Sequence, residues 1–358
     1  MIVIDNIAFY LQKSGGISVV WKELISYLTN EKSILYLEYK KMADNIFREK
    51  IDIPLTSTYY LKLFSLKIQR YLPLSLPFIK EPYIFHSSYY RYSLDSNAIN
   101  ITTVHDFTYE YYIKGIKSKL HSWQKNEAIR HSDYIICISE NTKRDLLRLL
   151  PDTNPDKLRV IYNGVSDDYY PLLLDMSDGL PFEKEKYVLF VGSRIGYKNF
   201  DFTVEILTKL KYKLVIVGSP LTPKEKKILD FKLGNNSYYC VGRVSSEKLN
   251  ILYNYAFALL YLSLYEGFGI PVLEAQKATC PVIACNSSSI PEIIGNTPLL
   301  LKQMSIIEVE RCFRILEDPI QRNVVIQNGL ENSKRFTWDR MSNQIKALYK
   351  EALEAKKS

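Results

Sequence analysis

Tyr265-Glu266-Gly267-Phe268-Gly269-Ile270-Pro271-Val272-Leu273-Glu274 sets two carboxylates eight positions apart around a glycine-flanked turn. The run Ala256 to Leu264 before it, centred on Leu259, Leu260, Tyr261 and Leu262, suits a buried parallel strand. Glu266 stands where that strand ends. Gly267 and Gly269 permit backbone angles closed to other residues and let a ligand approach the main chain, and Pro271 has the fixed φ and missing N–H of a first helical turn. A helix is therefore expected to start near Ile270. Its first amides lack internal partners and carry partial positive charge, so an anion or a sugar hydroxyl over the turn can be held by backbone groups. Glu274, one turn in, faces the same mouth in this reading. A carboxylate only accepts hydrogen bonds, which suits a vicinal diol. Two ordinary surface acids, with Glu274 merely favouring the helix dipole, is the plain alternative, and the glycines and strand end between them weigh against it. The stretch reads as a site for a sugar nucleotide.

Glu266 to Glu274 resembles the E-x7-E motif of the retaining glycosyltransferases of family 4 (glycosyl transferases group 1), in particular their mannosyltransferase-like members. That resemblance implies an α/β protein of the GT-B fold, with two Rossmann-like domains facing each other across a cleft. It implies that Glu274 binds the ribose of a nucleotide and that Glu266, with Gly267, Phe268, Gly269 and Ile270, lies by the transferred sugar.

The second half carries a further part of the motif series. Tyr187 to Val191 reads as a strand, followed by Gly192-Ser193-Arg194-Ile195-Gly196-Tyr197-Lys198 and a helix. An arginine fork and a mobile lysine can together neutralise a pyrophosphate. By the resemblance, Gly192, Arg194 and Lys198 grip the donor diphosphate, and Arg194 and Lys198 stabilise the leaving nucleotide. Two solvated loop cations are the alternative. Val244, after the strand Tyr238 to Val241, is implied to line the base pocket.

The first half alternates strands and helices as well. Ile2 to Phe9 reads as a strand, then Ser14-Gly15-Gly16-Ile17 leads into a helix with Ile17, Val20, Trp21, Leu24, Ile25 and Leu28 at helical spacing. The full G-x-G-x-x-G signature is absent, which argues against a nicotinamide dehydrogenase. Gly15 and Gly16 are implied to form a loop over the donor phosphates or the acceptor, with a plain turn as the alternative. In an open α/β sheet, ligands bind outside the carboxyl ends of the strands. His86, His105 with Asp106, and Ser139 with Glu140 follow such ends. Thr103-Val104-His105-Asp106-Phe107-Thr108-Tyr109 is similar to a loop of mannosyltransferase-like members whose histidine borders sugar and acceptor, so His105 joins Arg194, Lys198 and Glu266 as a candidate catalytic residue. A loop histidine supporting Asp106 is the alternative. His121 and His131 read as structural, and Ser139 suits a helix N-cap.

At 358 residues, 47% of them hydrophobic, the chain has material for two cores. The expected division is 1–170, an acceptor-binding domain; 171–337, a nucleotide-sugar-binding domain; and 338–358, a final helix crossing back onto the first. The net charge of +8 is spread over both halves, 22 basic against 19 acidic residues up to Pro171 and 25 against 20 after it. A nucleic-acid protein concentrates such charge, so anionic small molecules or a membrane surface are the expected partners. The five cysteines show no paired spacing, and no long apolar segment or basic leader appears, so a cytoplasmic location is expected. No D-x-D pair is present; no metal and no other cofactor is expected.

From Tyr59 to Leu72 a helical projection puts Leu61, Phe64, Ile68, Tyr71 and Leu72 on one arc and Lys62, Lys67 and Arg70 on another. That segment either rests on anionic lipid at the inner face of the cell membrane or packs on the sheet. The resemblance implies a GDP- or UDP-linked donor, a hexosyl and in particular mannosyl group, and a glycan or polyprenyl-diphosphate-linked acceptor in bacterial O-antigen or capsule synthesis. A sugar-nucleotide epimerase or phosphorylase on the same fold, and a non-catalytic glycan-binding protein, stay open as alternatives.

Overall fold

The computed structural model describes residues 1–29, 31, 33–39, 43–62 and 65–357. The chain forms two compact units, one of Met1–Gly164 with the chain from Trp338 onward, the other of Val165–Thr337.

The first unit is built on seven parallel strands: β1 (Ile2–Asp5), β2 (Ile34–Tyr39), β3 (Thr58–Leu61), β4 (Tyr83–Ser87), β5 (Ala98–Val104), β6 (Tyr134–Cys137) and β7 (Leu158–Val160). Their order is β3-β2-β1-β4-β5-β6-β7, each pair parallel. Parallel strands covered by helices are buried on both faces, which is why β4 reads as a continuous buried run. The helix Gly16–Leu28 lays Val20, Trp21, Leu24, Ile25 and Leu28 onto this sheet. The last helix, Trp338–Lys357, adds Met341, Ile345, Leu348 and Tyr349 to the same core, and Arg159 in β7 pairs with its Glu351 at 2.6 Å.

The second unit repeats the plan with β8 (Tyr187–Val191), β9 (Lys213–Val217), β10 (Tyr238–Gly242), β11 (Ala258–Tyr261), β12 (Val282–Cys285) and β13 (Leu300–Leu301), ordered β10-β9-β8-β11-β12-β13 and parallel throughout. In each unit the order runs outward one way from the first strand and then reverses. Such a switch point, at β1/β4 and at β8/β11, leaves a crevice beyond the carboxyl ends of two adjacent strands.

One expectation is overturned. The segment 59–72 is not a helix: Thr58–Leu61 is β3, in register with Tyr36–Tyr39 of β2, and only Leu66–Gln69 is helical. Thr58, Tyr59 and Tyr60 are strand formers, and an available sheet edge outweighs the helical spacing of the apolar residues. Phe64 lies outside the described residues. Among the described residues no helix is long and apolar enough to cross a membrane.

Candidate active site

In the second unit Lys198 and Glu266 meet at the switch point. Lys198 ends the turn Gly196–Lys198 that follows β8, Glu266 follows β11, and Lys198 Nζ donates to Glu266 Oε1 at 2.6 Å. The pair is mostly buried, with 15% and 11% of the two side chains exposed. The Leu264 amide donates to the Tyr197 carbonyl at 2.7 Å, which ties the two loops by main chain as well.

The turn after Glu266 is held by a serine pair that sequence reading missed. The Glu266 amide donates to Ser288 Oγ at 2.8 Å, and buried Ser289 donates to the Glu266 and Phe268 carbonyls at 2.9 and 2.8 Å. Asn286-Ser287-Ser288-Ser289-Ile290-Pro291 follows β12 and repeats the strand, turn and proline-led helix pattern, which was the available signal. Gly269 takes φ +109°, and the helix Ile270–Lys277 begins directly after it with Pro271 in its first turn. Gly267 and Ile270 are half-buried and Phe268 is buried.

Glu274 is held from below. Its carboxylate accepts from the Tyr253 hydroxyl at 3.1 Å and also from Tyr169. Burial lifts its carboxyl from 4.5 to about 7, while the two phenols pull the other way. The sequence assigned Glu274 a diol and gave it no protein partner.

Gly192, Gly218 and Gly242 end three adjacent strands with φ of +122°, +157° and +76°. Gly192 donates to the Val217 carbonyl at 2.9 Å and Gly218 to that of Gly242 at 3.0 Å. A side chain on Gly192 would meet nothing within 4 Å, so open space lies over its backbone. Val244 is half-buried between β10 and the helix Ser246–Tyr255.

Arg194 departs from the expected free phosphate clamp. Its Nε donates to Glu225 Oε1 at 2.7 Å, Nη1 to the Ser219 carbonyl at 2.9 Å, and Nη2 to the Pro220 carbonyl at 2.9 Å and to Glu225 Oε2 at 3.2 Å. Only 6% of the side chain is exposed. Glu225 also caps its own helix, Pro223–Leu233, and the Arg194 hydrogen bonds are the leading cause that holds its carboxyl down at about 2. The structure thus brings Lys198 to Glu266 and gives Arg194 to Glu225.

In the first unit Gly15 and Gly16 open the helix Gly16–Leu28 after β1, their loop held by Asn45, which donates to the Gln12 carbonyl at 2.7 Å and to Ser18 Oγ at 2.9 Å. A side chain on Gly16 would meet nothing within 4 Å. His105 follows β5, half-buried, and burial brings its imidazole down to about 4, so it is neutral near pH 7. Lys125, fully buried, lies in this neighbourhood: it pairs with Glu110 at 2.8 Å and donates to the Asp106 carbonyl at 2.8 Å. His86 bonds Tyr349 and Thr103 at 2.6 and 2.8 Å, which is an architectural role. His121 stacks on Tyr109 with centroids 3.8 Å apart and His131 on Tyr92 at 4.1 Å, and Ser139 caps the helix Glu140–Leu149.

Comparison with known proteins agrees with this architecture. Over 266 residues, 70% of each chain, the sequence is 24% identical to O-antigen chain mannosyltransferase B of Escherichia coli. It is 27% identical over 249 residues, 65% of this chain and 67% of the relative, to O-antigen chain mannosyltransferase RfbU of Salmonella typhimurium. Sucrose-phosphate synthase from Thermosynechococcus elongatus superposes with a TM-score of 0.75 at 16% identity, covering 99% of both chains, so the fold is GT-B. Residues 14–169 match the family described as Glycosyltransferase Family 4 and residues 175–332 that described as Glycosyl transferases group 1, and the chain belongs to this glycosyltransferase family.

Proposed function

We propose that the chain is a retaining, metal-independent hexosyltransferase that moves a mannosyl group from a GDP- or UDP-linked donor to a glycan or polyprenyl-diphosphate-linked acceptor, at the cytoplasmic side of a bacterial membrane, in surface-polysaccharide synthesis. The observation that carries it is the Lys198–Glu266 pair at the β8/β11 switch point, beside the helix start at Ile270, with open space over Gly192 at the end of β8. A nucleotide laid there would have its diphosphate over Gly192 and the helix amides, with Lys198 as the mobile cation. Glu274 would accept the ribose hydroxyls and Glu266 those of the hexose. Arg194 serves as a positioning residue that fixes the 219–225 loop.

In the reaction the bond from the anomeric carbon to the β-phosphate oxygen breaks and the acceptor oxygen bonds the same face of that carbon. The acceptor proton passes to the departing phosphate, so no carboxylate is needed as base. Lys198 and the amides stabilise the charge that grows on that phosphate, the kind of term worth about 3 to 4 kcal/mol per well-placed donor. His105, uncharged near pH 7, can accept or donate a hydrogen bond to sugar or acceptor without adding charge. The mannosyl and O-antigen parts rest on the two relatives and on the His105 loop.

A thermal-shift panel of nucleotides and sugar nucleotides tests the donor, since a ligand at about 100 times its Kd adds about 2.7 kcal/mol. Incubation of the stabilising donor with a lipid-linked acceptor and proton NMR of the product then reads the anomeric configuration. An inverted anomer, or activity abolished by EDTA and restored by a divalent ion, overturns the mechanism.

A further inference from the structure

Tyr261 closes β11, the strand that leads to Glu266. Side chains alternate faces along a strand, and Ala258, Leu260 and Leu262 all pack into one core of the second unit, so Tyr261 stands on the other face. It is 3% exposed. A phenol buried to that degree carries an O–H where water does not reach it, and such a group needs an acceptor.

The acceptor is Glu266, to whose carboxylate the Tyr261 hydroxyl donates. The same ring reaches two other parts of the proposed donor site. Lys198 Nζ lies 5.6 Å from the ring centroid, within the range of a cation–π contact. A Cβ on Gly269 would stand 3.7 Å from Tyr261 Cε1 and 4.0 Å from its hydroxyl oxygen, so the turn that opens the helix Ile270–Lys277 rests on the hydroxyl edge of the ring. One side chain thus borders the cation, the carboxylate and the turn. Burial first, then the charges of Glu266 and Glu274 with Tyr197 beside them, push the phenol well above its ordinary range, so it stays a protonated donor.

We propose that Tyr261 is a positioning residue for the sugar end of the donor, its hydroxyl keeping Glu266 oriented when Lys198 turns to the diphosphate. The inference deepens the proposed function and rests on it for the identity of the ligand. Before a donor binds, Glu266 accepts from Lys198 at 2.6 Å and from the Tyr261 phenol. Lysine is a point charge on a flexible stem and can follow a phosphate, whereas the phenol is fixed by its strand and stays with the carboxylate. An ionised carboxylate offers about four acceptor positions, so one taken by the phenol leaves others for hexose hydroxyls. Phenylalanine has the same ring, so Tyr261→Phe removes the hydrogen bond and keeps the packing.

Two measurements on the full chain test it. The first needs no ligand: urea unfolding of the parent, Tyr261→Phe, Glu266→Ala and the double variant. Tyr261→Phe is expected to raise the unfolding equilibrium constant about tenfold in the parent and by less than about twofold where Glu266 is replaced. The second is titration calorimetry with GDP and GDP-mannose, and with UDP and UDP-glucose. For the pair that the parent binds, Tyr261→Phe is expected to leave the Kd of the nucleoside diphosphate within about twofold and to raise that of the sugar nucleotide about fivefold. A phenol with a merely structural role would weaken both members of the pair alike, and that outcome overturns the inference. So does an unfolding effect of Tyr261→Phe that is the same with and without Glu266. A parent chain that binds neither pair removes the donor reading and this inference with it, while the ligand-free cycle reports separately on the bond between Tyr261 and Glu266.

Discussion

Lys198 Nζ lies 2.6 Å from Glu266 Oε1, joining the loops that leave the adjacent strands β8 and β11. A cation assigned to a diphosphate and a carboxylate assigned to a sugar thus satisfy each other before any donor arrives. In the proposed site a donor would exchange this contact for contacts of similar kind, and until then neither side chain is left as an isolated buried charge.

A double-mutant cycle follows from that exchange. Lys198→Ala should lower kcat/KM for the donor about 100-fold, through loss of charge stabilisation on the leaving phosphate. Glu266→Ala alone should also destabilise the fold by about 1 to 3 kcal/mol, because Lys198 is then buried without a partner, and the double variant should recover part of that loss. Donor kinetics and urea unfolding of the three variants read both effects. Strictly additive stability losses would falsify the coupling.

Arg194 should behave differently from Lys198. With Glu225 and two carbonyls as its partners, Arg194→Ala is expected to cost about 3 kcal/mol of stability, and donor KM should rise only as far as the 219–225 loop loosens. The sign with pH follows from Glu225, whose folded carboxyl is depressed from 4.5 to about 2. A depressed carboxyl contributes stability above its unfolded value and loses it as pH falls through the folded one. The gap in unfolding free energy between parent and Arg194→Ala should therefore be full at neutral pH and close between about pH 4.5 and pH 2. A gap unchanged across that window would show that Arg194 acts by packing alone.

The loops after β8 and β9 also depend on how closely two strand ends approach. A Cβ at Gly218 would lie 2.4 Å from the Gly192 carbonyl oxygen, and Gly218 has φ +157°. Backbone meets backbone there, so no side chain can swing aside. Gly218→Ala should destabilise the second unit by on the order of 2 kcal/mol and raise donor KM by displacing Gly192. Gly192→Ala meets no atom within 4 Å, so its effect on stability should be only that of its φ of +122°, while a bound donor would meet the new methyl. Calorimetry with and without nucleotide distinguishes the two variants.

What the sequence disclosed was local. The turn at Gly267 to Gly269, the helix from Ile270 and the strand before them are governed by rules that act within a few residues, and all three stand where those rules put them. The partners of the site residues were not legible. Glu225 is 31 positions from Arg194 and Tyr253 is 21 from Glu274, and only the sheet order brings them together. Sequence reading also assumed that apolar spacing marks the buried side of a helix. That holds for Gly16–Leu28, whose Val20, Trp21, Leu24, Ile25 and Leu28 are all buried. It fails for the segment 59–72, since a free sheet edge recruited its first residues.

Glu274 should give the proposed site a pH dependence near neutrality. Burial raises its carboxyl from 4.5 to about 7, so below that pH it is a neutral acid held by Tyr253 and Tyr169. A carboxyl raised in the folded state binds its proton more tightly there than in the unfolded chain. Its contribution to stability is thus present at acid pH and declines as pH rises from about 4.5 to 7. In the proposed site ribose hydroxyls would donate to this group, and the ionised form would accept from them more strongly. Nucleotide affinity should therefore rise as pH passes through about 7, while unliganded stability falls over the range below it. Glu274→Gln cannot ionise and should flatten both profiles, with weaker nucleotide binding than the parent chain above pH 7. Titration calorimetry of the nucleotide from about pH 6 to pH 8, beside urea unfolding across the same range, reads the two slopes. Equal pH dependence in parent and variant would assign the effect to another group and remove Glu274 from the ribose.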